Sequence, residues 1–160
     1  MTRVFIILTV LTTLISCQSD KEQTVEGDLY FKLIDFNRMY VAPDSILTKI
    51  ETSVMTVNED TLSVQDKRYF LLMKFMVDNN LLRKPFIRLR LDNGEIKMLF
   101  LDTSDYKHFE QFNYSDLEKD NKKIRVKAKV IELKYDSSTA FNSIKLISIE
   151  KRDGKTYWKK

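Results

Sequence analysis

Few side chains in this sequence of 160 residues have the chemistry to form a catalytic or metal site. There is one cysteine, Cys17, and one histidine, His108. A zinc site, or a nucleophile with its base, requires several such groups. Neither residue has a second of its own kind with which to form such a site. The three glycines lie far apart, which excludes a glycine-rich phosphate loop. We therefore expect no catalytic residue, metal or cofactor, and we interpret His108 as a half-exposed helical residue rather than a catalytic one.

Basic side chains, in contrast, form a regular row near the C-terminus. They alternate with apolar residues, so they project from one side of a strand. Residues 119–160 carry 13 basic and 5 acidic residues, a balance of +8, whereas residues 17–118 have a balance of −5. This row either binds an anionic glycan or protein or is a solvated face, and nucleic acid is the least favoured partner because no aromatic residues are interleaved for base stacking. The row comprises Lys123, Arg125, Lys127 and Lys129.

A second basic group lies in the segment 84–102, which predicts a β-hairpin. Asn93-Gly94 between alternating segments favours a two-residue type I′ turn that pairs Asp92 with Glu95. In that register Leu89, Leu91, Ile96 and Met98 share an apolar face, and Arg88, Arg90 and Lys97 share the other. Like charges then face each other, which is mildly unfavourable. A ligand-bound role would explain the placement of these cations, and so would plain solvation.

Cys17 follows a segment with the layout of a secretory signal. Arg3 precedes an uncharged apolar run from Val4 to Ile15, which is shorter than the ~20 residues that span a bilayer as a helix. The run ends in Leu14-Ile15-Ser16-Cys17, which resembles the lipobox of bacterial lipoproteins. The resemblance implies that residues 1–16 are removed as a signal peptide and that Cys17 carries a diacylglycerol, with its new amine usually acylated, which makes a stable lipid anchor.

The residues after Cys17 bear on where the anchored protein resides. The sequence "SDKE" at 19–22 resembles the acidic, lysine-containing export tag of surface lipoproteins in the Bacteroidota. Its composition is equally that of a solvated tether. We expect an outer-membrane lipoprotein on the periplasmic or surface face, with residues 17–26 as a flexible tether and residues 27–160 as a single domain.

The middle of the sequence predicts one strand followed by two helices. Residues 27–36 are rich in aromatic and β-branched residues, which favours a strand. Pro43-Asp44 opens a helix, and Ser63 with Asp66 forms a capping box for a second helix over 64–80. Its stripe of Tyr69, Leu72, Phe75 and Met76 is interpreted as core rather than as a ligand groove. A further short helix is expected over 103–112 with Ser104 as its N-cap, and a capping box at 115–118.

Two long strands and a short one complete the predicted domain. Their alternation slips at Val130-Ile131 and at Leu146-Ile147, which we interpret as bulges that bend a small barrel. With the helical pair set aside, the order is β-β-β-α-β-β, and the segment 122–151 resembles OB-like modules of secreted bacterial proteins. The predicted fold class is α+β: a small antiparallel OB-like bent barrel or half-barrel with two inserted helices. The alternative is an open sheet packed on the helices.

The function predicted from these features is that of a non-enzymatic binding or interaction module held at the membrane. Two alternatives remain open: a structural accessory subunit of an envelope complex, and a hydrolase built from dispersed carboxylates. The triplets beginning at Asp44 and Asp60 resemble O-glycosylation acceptors at Ser45 and Thr61, although helix capping explains both positions better and is compatible with glycosylation.

Overall fold

The structure, a computed structural model, describes residues 22–31, 36–112, 124–135, 138–151 and 156–160. Strand β1 (Glu22–Phe31) is followed by a 3₁₀ turn (Phe36–Val41), helix α1 (Asp44–Thr56), a second 3₁₀ turn (Glu59–Thr61) and helix α2 (Val64–Asp78). The chain continues with β2 (Phe86–Leu91), β3 (Ile96–Phe100), α3 (Thr103–Tyr106), a 3₁₀ turn (Lys107–Phe109), β4 (Ile124–Tyr135), β5 (Ser138–Lys151) and β6 (Thr156–Lys159).

Five of these strands close into an OB-like barrel, which confirms the predicted fold class. Strand β1 pairs with both β2 and β4, β5 pairs with β4, and β3 pairs with β2. A parallel pairing of β3 with β5 completes the ring, so the sheet is mixed rather than purely antiparallel and the open-sheet alternative does not apply. Strand β6 adds to the edge of β5.

The barrel interior is filled by apolar side chains that alternate along the strands. Ile124, Val126, Ala128 and Val130 of β4 are each at most 1% exposed, as the alternation predicts. Tyr106 and Phe109 of the segment after β3 belong to the same cluster. The predicted helix over 103–112 is shorter than expected: α3 begins after Asp102 rather than Ser104 and gives way to the 3₁₀ turn. The capping box at 115–118 lies outside the described residues.

The two inserted helices connect β1 to β2, close to their predicted positions. The Ser63 hydroxyl accepts a hydrogen bond from the Asp66 amide at 3.2 Å, which confirms the capping box. Asp44 lies in the first turn of α1 without a capping bond and instead pairs with Arg83. Of the predicted core stripe on α2, Phe75 and Met76 are buried, whereas Tyr69 is 52% exposed.

The helix pair packs against the outside of the barrel and forms a second apolar core. This cluster joins the helices to Phe86 at the start of β2 and Phe100 at the end of β3. Leu133 of β4 and Ala140 of β5 belong to the same cluster. The apolar phase of β4 therefore changes at Val130-Ile131 because the outer face of the strand becomes covered. A bulge does accompany this slip, but on the partner strand: the β4–β5 register shifts between Lys129 and Val130, whereas pairing with β1 continues unbroken to Ile131.

The second predicted slip does mark a bulge. The pairing of β4 with β5 shifts by one residue between Leu146 and Ser148, which leaves Ile147 unpaired. A second shift leaves Ile144 unpaired in the same strand. Extra residues on one strand bend it, and both lie on β5.

The β2–β3 hairpin has a register one residue away from the prediction. Arg90 pairs with Ile96 and Leu89 with Lys97, and the Gly94 amide donates to the Leu91 carbonyl at 2.9 Å. Gly94 has a φ of +85°, whereas Asn93 is not among the described residues with positive φ. The loop is therefore a type I turn closed by a left-handed glycine, the three-residue connection, and the type I′ prediction was wrong.

This register overturns two predictions about the hairpin faces. Lys97 shares the inner face with Leu89 and its side chain is only 11% exposed, so it does not lie beside Arg88 and Arg90. Ile96 is 43% exposed instead of buried with Leu89.

The domain begins earlier than predicted. Glu22 pairs with Ile131, and Thr24 pairs with Lys129, so residues 22–26 belong to the barrel and not to a flexible tether.

Candidate ligand-binding face

The outer surface of β1 and β2 near the hairpin tip presents two arginines beside a tyrosine. Arg88 and Arg90 alternate with the inward-facing Ile87 and Leu89, so both lie on the outside of the barrel. Tyr30 of β1 lies on the same side, at a bulge where the β1–β2 register shifts between Leu29 and Phe31. We call Tyr30, Arg88 and Arg90 the arginine face.

A cation–π contact organises this arginine face. The Arg90 guanidinium carbon lies 4.4 Å from the centre of the Tyr30 ring. Tyr30 is 41% exposed, and Arg90 is exposed as well. A guanidinium held over a ring keeps its outward N–H groups in a fixed plane, which suits bidentate binding of a carboxylate or phosphate.

Within the described residues, neither Arg88 nor Arg90 forms a salt bridge with a carboxylate. Asp28 is the cross-strand partner of Arg90, but its carboxylate pairs with Arg125 instead. The helix pair covers the other half of the outer β2–β3 surface, at Phe86 and Phe100. The uncovered half carries the two arginines and is bordered by the apolar Ile96 and by Asp28, beside Arg90.

The basic row of β4 has a different environment, because an acidic row on β1 lies beside it. Lys129 pairs with Glu22, and a Lys127 ammonium nitrogen lies 3.6 Å from a Glu26 carboxylate oxygen. Lys123 lies outside the described residues. The row projects from one side of the strand as predicted, but its described part is an ion-pair ladder and not a uniformly positive face.

Arg125 is the most heavily bonded member of that ladder. It donates two hydrogen bonds to the Asp92 carboxylate, at 2.7 and 2.8 Å, and one to Glu26 at 2.9 Å. Asp28 lies 3.5 Å away. The bond from Arg125 holds the pKa of Glu26 below its usual value despite partial burial, and the bonds to Asp92 raise the pKa of Arg125 further. Arg125 thereby ties the hairpin tip to β1.

A groove between α1 and α2 is a further concave surface of the described structure. It has a volume of about 430 Å³ and is open to solvent. Its lining is mostly apolar, with Lys49 and Asp66 as its charged residues. The apolar lining residues are Ile46, Ile50, Val54, Val57, Leu62, Tyr69, Phe70 and Met73.

The structure also places several other residues that the sequence singled out. The ring of His108 stacks on Trp158 of β6, with centroids 4.6 Å apart. Among the described residues there is no group of three or more His, Cys, Asp or Glu side chains arranged to hold a metal ion. Ser45 and Thr61 are both exposed, and the Thr61 hydroxyl donates to the Asn58 carbonyl at 2.7 Å.

Cys17 lies outside the described residues, so its predicted lipidation stays a prediction. Within the described ranges, no helix is long and apolar enough to cross a membrane. Comparison with family models, with curated proteins and with solved structures finds no match to this chain. Arguments about function therefore rest on the residues and their geometry.

Sequence reasoning found Arg88 and Arg90 but missed Tyr30 and the acidic row. The tyrosine reaches Arg90 through a bulge, which the alternation of β1 does not reveal. The acidic row could have been predicted, since Glu22, Glu26 and Asp28 fall at even spacing in "EQTVEGD". That prediction would have required a strand that starts before residue 27.

Proposed function

We propose that this protein is a lipid-anchored envelope lipoprotein whose barrel is a non-enzymatic binding module for an anionic glycan. The anchor would be Cys17, and the binding surface would be the arginine face. The observation that carries the proposal is the stacked Arg90–Tyr30 pair beside Arg88, without a salt-bridged carboxylate in the described structure.

The chemistry of the arginine face supports an anionic ligand. Arginine binds carboxylate, sulfate or phosphate groups through paired N–H donors, and the planar fork loses little freedom when it is already stacked. OB-folds take oligosaccharides or oligonucleotides on the outer face of their second and third strands. Here the helix pair leaves only the Arg88–Arg90 half of that face open. A short stretch of an acidic sugar chain fits such a limited patch better than a long nucleic acid strand.

The structural-subunit alternative is favoured by one observation, the apolar groove between α1 and α2. The hydrolase alternative has less support. The carboxylates that folding brings together surround Arg125, and a lowered pKa makes Glu26 a poor proton donor near neutral pH.

Binding of oligogalacturonate, a carboxylated sugar oligomer, tests the proposal directly. We expect Arg88→Gln combined with Arg90→Gln to weaken binding by about tenfold or more, since each charge-assisted bond contributes roughly 1.5–3 kcal/mol. Binding by the unmodified protein should weaken as salt rises. A neutral maltooligosaccharide of the same length is the ligand control.

Lys127→Gln combined with Lys129→Gln is the matched protein control. It also removes two positive charges, but from the ion-pair ladder, so it should change affinity much less than the arginine substitutions. Equal losses of affinity in both double variants would show that binding depends only on the net charge of the protein. A greater loss in the lysine variant would place the ligand on β4 instead.

A further inference from the structure

We propose that the helix pair contacts the lipid bilayer through an exposed apolar edge. The inference rests on the proposed anchoring at Cys17 and goes beyond it, because it assigns the membrane-facing side of the barrel. We define the helix-pair edge as the exposed apolar residues that line the groove between α1 and α2, which are Ile46, Val57 and Tyr69.

These side chains surround one groove and are open to solvent. Tyr69 is 52% exposed, Ile46 is 44% exposed and Val57 is 40% exposed. The groove that they line is mostly apolar. Scattered single apolar residues need no explanation, whereas apolar residues grouped around one open groove indicate an interaction site.

The length of the connection to the anchor limits how far the barrel can lie from the membrane. Strand β1 begins at Glu22, only five residues after Cys17. Five residues span at most roughly 16–18 Å even when fully extended. The start of β1 must therefore stay close to the bilayer surface if Cys17 carries the lipid.

The side of the barrel at which the chain enters is the side that carries the helices. Glu22 pairs with Ile131 on β4. Leu133, two residues further along β4 and on the same outer face, packs in the cluster formed with α1 and α2. The anchor and the helix pair thus attach to neighbouring parts of one surface, and the apolar edge suits burial at the ~5–10 Å depth of an interfacial helix.

Tryptophan quenching by brominated lipid tests this contact. The chain has one tryptophan, Trp158, on β6. We would place a single tryptophan in the edge with Tyr69→Trp in a Trp158→Phe background. The mature lipidated protein is reconstituted into vesicles of phosphatidylethanolamine and phosphatidylglycerol, with or without bromine on the acyl chains.

The unsubstituted protein is the matched control, because Trp158 is distant from the helix pair. It pairs with Ile149, nine residues along β5 from Ala140 of the helix-pair cluster. That separation corresponds to roughly 25 Å or more along the strand. Brominated lipid should lower the emission at position 69 about twofold or more, given insertion to interfacial depth, and leave Trp158 nearly unchanged. Circular dichroism would confirm that the variant is folded.

Vesicle flotation separates failure of the anchor from failure of the inference. Protein that does not float with vesicles would refute anchoring and this proposal together. Protein that floats without quenching at position 69, or with equal quenching of both tryptophans, would overturn only the bilayer contact. A blue shift at position 69 that occurs in native membranes but not in lipid vesicles would assign the edge to a protein partner, and would overturn the bilayer contact as well.

Discussion

Replacing Arg125 by methionine tests whether the ion-pair ladder stabilises the barrel. Methionine keeps most of the aliphatic stem, so the change removes mainly the guanidinium and its bonds to Asp92, Glu26 and Asp28. The Arg125 side chain is 22% exposed and that of Asp28 is 18% exposed, whereas Asp92 is 76% exposed. The site is intermediate between a surface ion pair and a buried one.

The expected loss of unfolding free energy follows from these exposures. The two bonds to exposed Asp92 contribute little, because surface pairs are worth about 0–1 kcal/mol. Asp28 would remain largely buried without its cation, and this costs more. Removing one partner of a fully buried pair costs ~3–5 kcal/mol, which is the upper bound here. We therefore expect a loss of about 2 kcal/mol near neutral pH. Lys129→Met, which breaks the half-exposed pair with Glu22, should cost less than about 1 kcal/mol.

The loss of unfolding free energy caused by Arg125→Met should also depend on pH. Arg125 lowers the pKa of Glu26 in the folded protein below its ordinary value of 4.5. This contribution to stability is complete above that ordinary value and is lost as pH falls through the folded-state pKa. The Arg125→Met protein lacks this contribution at every pH. The difference in unfolding free energy between Arg125→Met and the unsubstituted protein should therefore become smaller below pH 4.5.

Urea denaturation followed by the fluorescence of Trp158 measures both effects. Unfolding free energies would be compared for the unsubstituted protein, Arg125→Met and Lys129→Met near neutral pH and at about pH 3.5, below the ordinary carboxyl pKa. Equal costs for the two substitutions would refute the importance of partial burial. If the difference in unfolding free energy between Arg125→Met and the unsubstituted protein stays constant on acidification, the role assigned to Glu26 is refuted.

Three further predictions concern the turn, the sheet and the anchor. Gly94→Val should cost about 1–2 kcal/mol in a denaturation experiment because φ is +85° there, and Gly94→Asn should cost less. Gly27→Ala should destabilise the barrel by about 1–3 kcal/mol, since the new Cβ would lie 2.9 Å from the Arg90 carbonyl oxygen; unchanged denaturation would contradict the close approach of β1 to β2. Cys17→Ala should abolish lipoprotein processing and release the protein from membranes, as judged by intact mass and cell fractionation; an unchanged mass and membrane fraction would refute lipidation.

The sequence predicted the elements better than their exact pairing. The helices and the OB-like order followed from apolar periodicity and from the Ser63 cap, which are local signals. The hairpin register did not, because Asn93-Gly94 is compatible with both a two-residue and a three-residue loop. Tertiary contacts accompany the observed register: Phe86 pairs with Phe100 beneath the helices, and Asp92 binds Arg125.

The candidate site was predictable only in part for a similar reason. Arg88 and Arg90 stand out as cations in a strand, and they do lie on one face. Which cations are neutralised depends on which strands become neighbours. The sequence shows the basic row of β4 but not that β1 places Glu22 and Glu26 beside it.

The central claim, that the arginine face binds an anionic glycan in the cell envelope, is tested most directly by photo-crosslinking in intact cells. A photoreactive benzoylphenylalanine would replace Ile96, the cross-strand partner of Arg90, and in a separate strain Ile144 on β5. The two positions are 43% and 41% exposed, so they are matched in accessibility. We predict an acidic polysaccharide adduct at position 96 that disappears with Arg88→Gln and Arg90→Gln, and none at position 144. No glycan adduct at position 96, or equal adducts at both positions, would contradict the account.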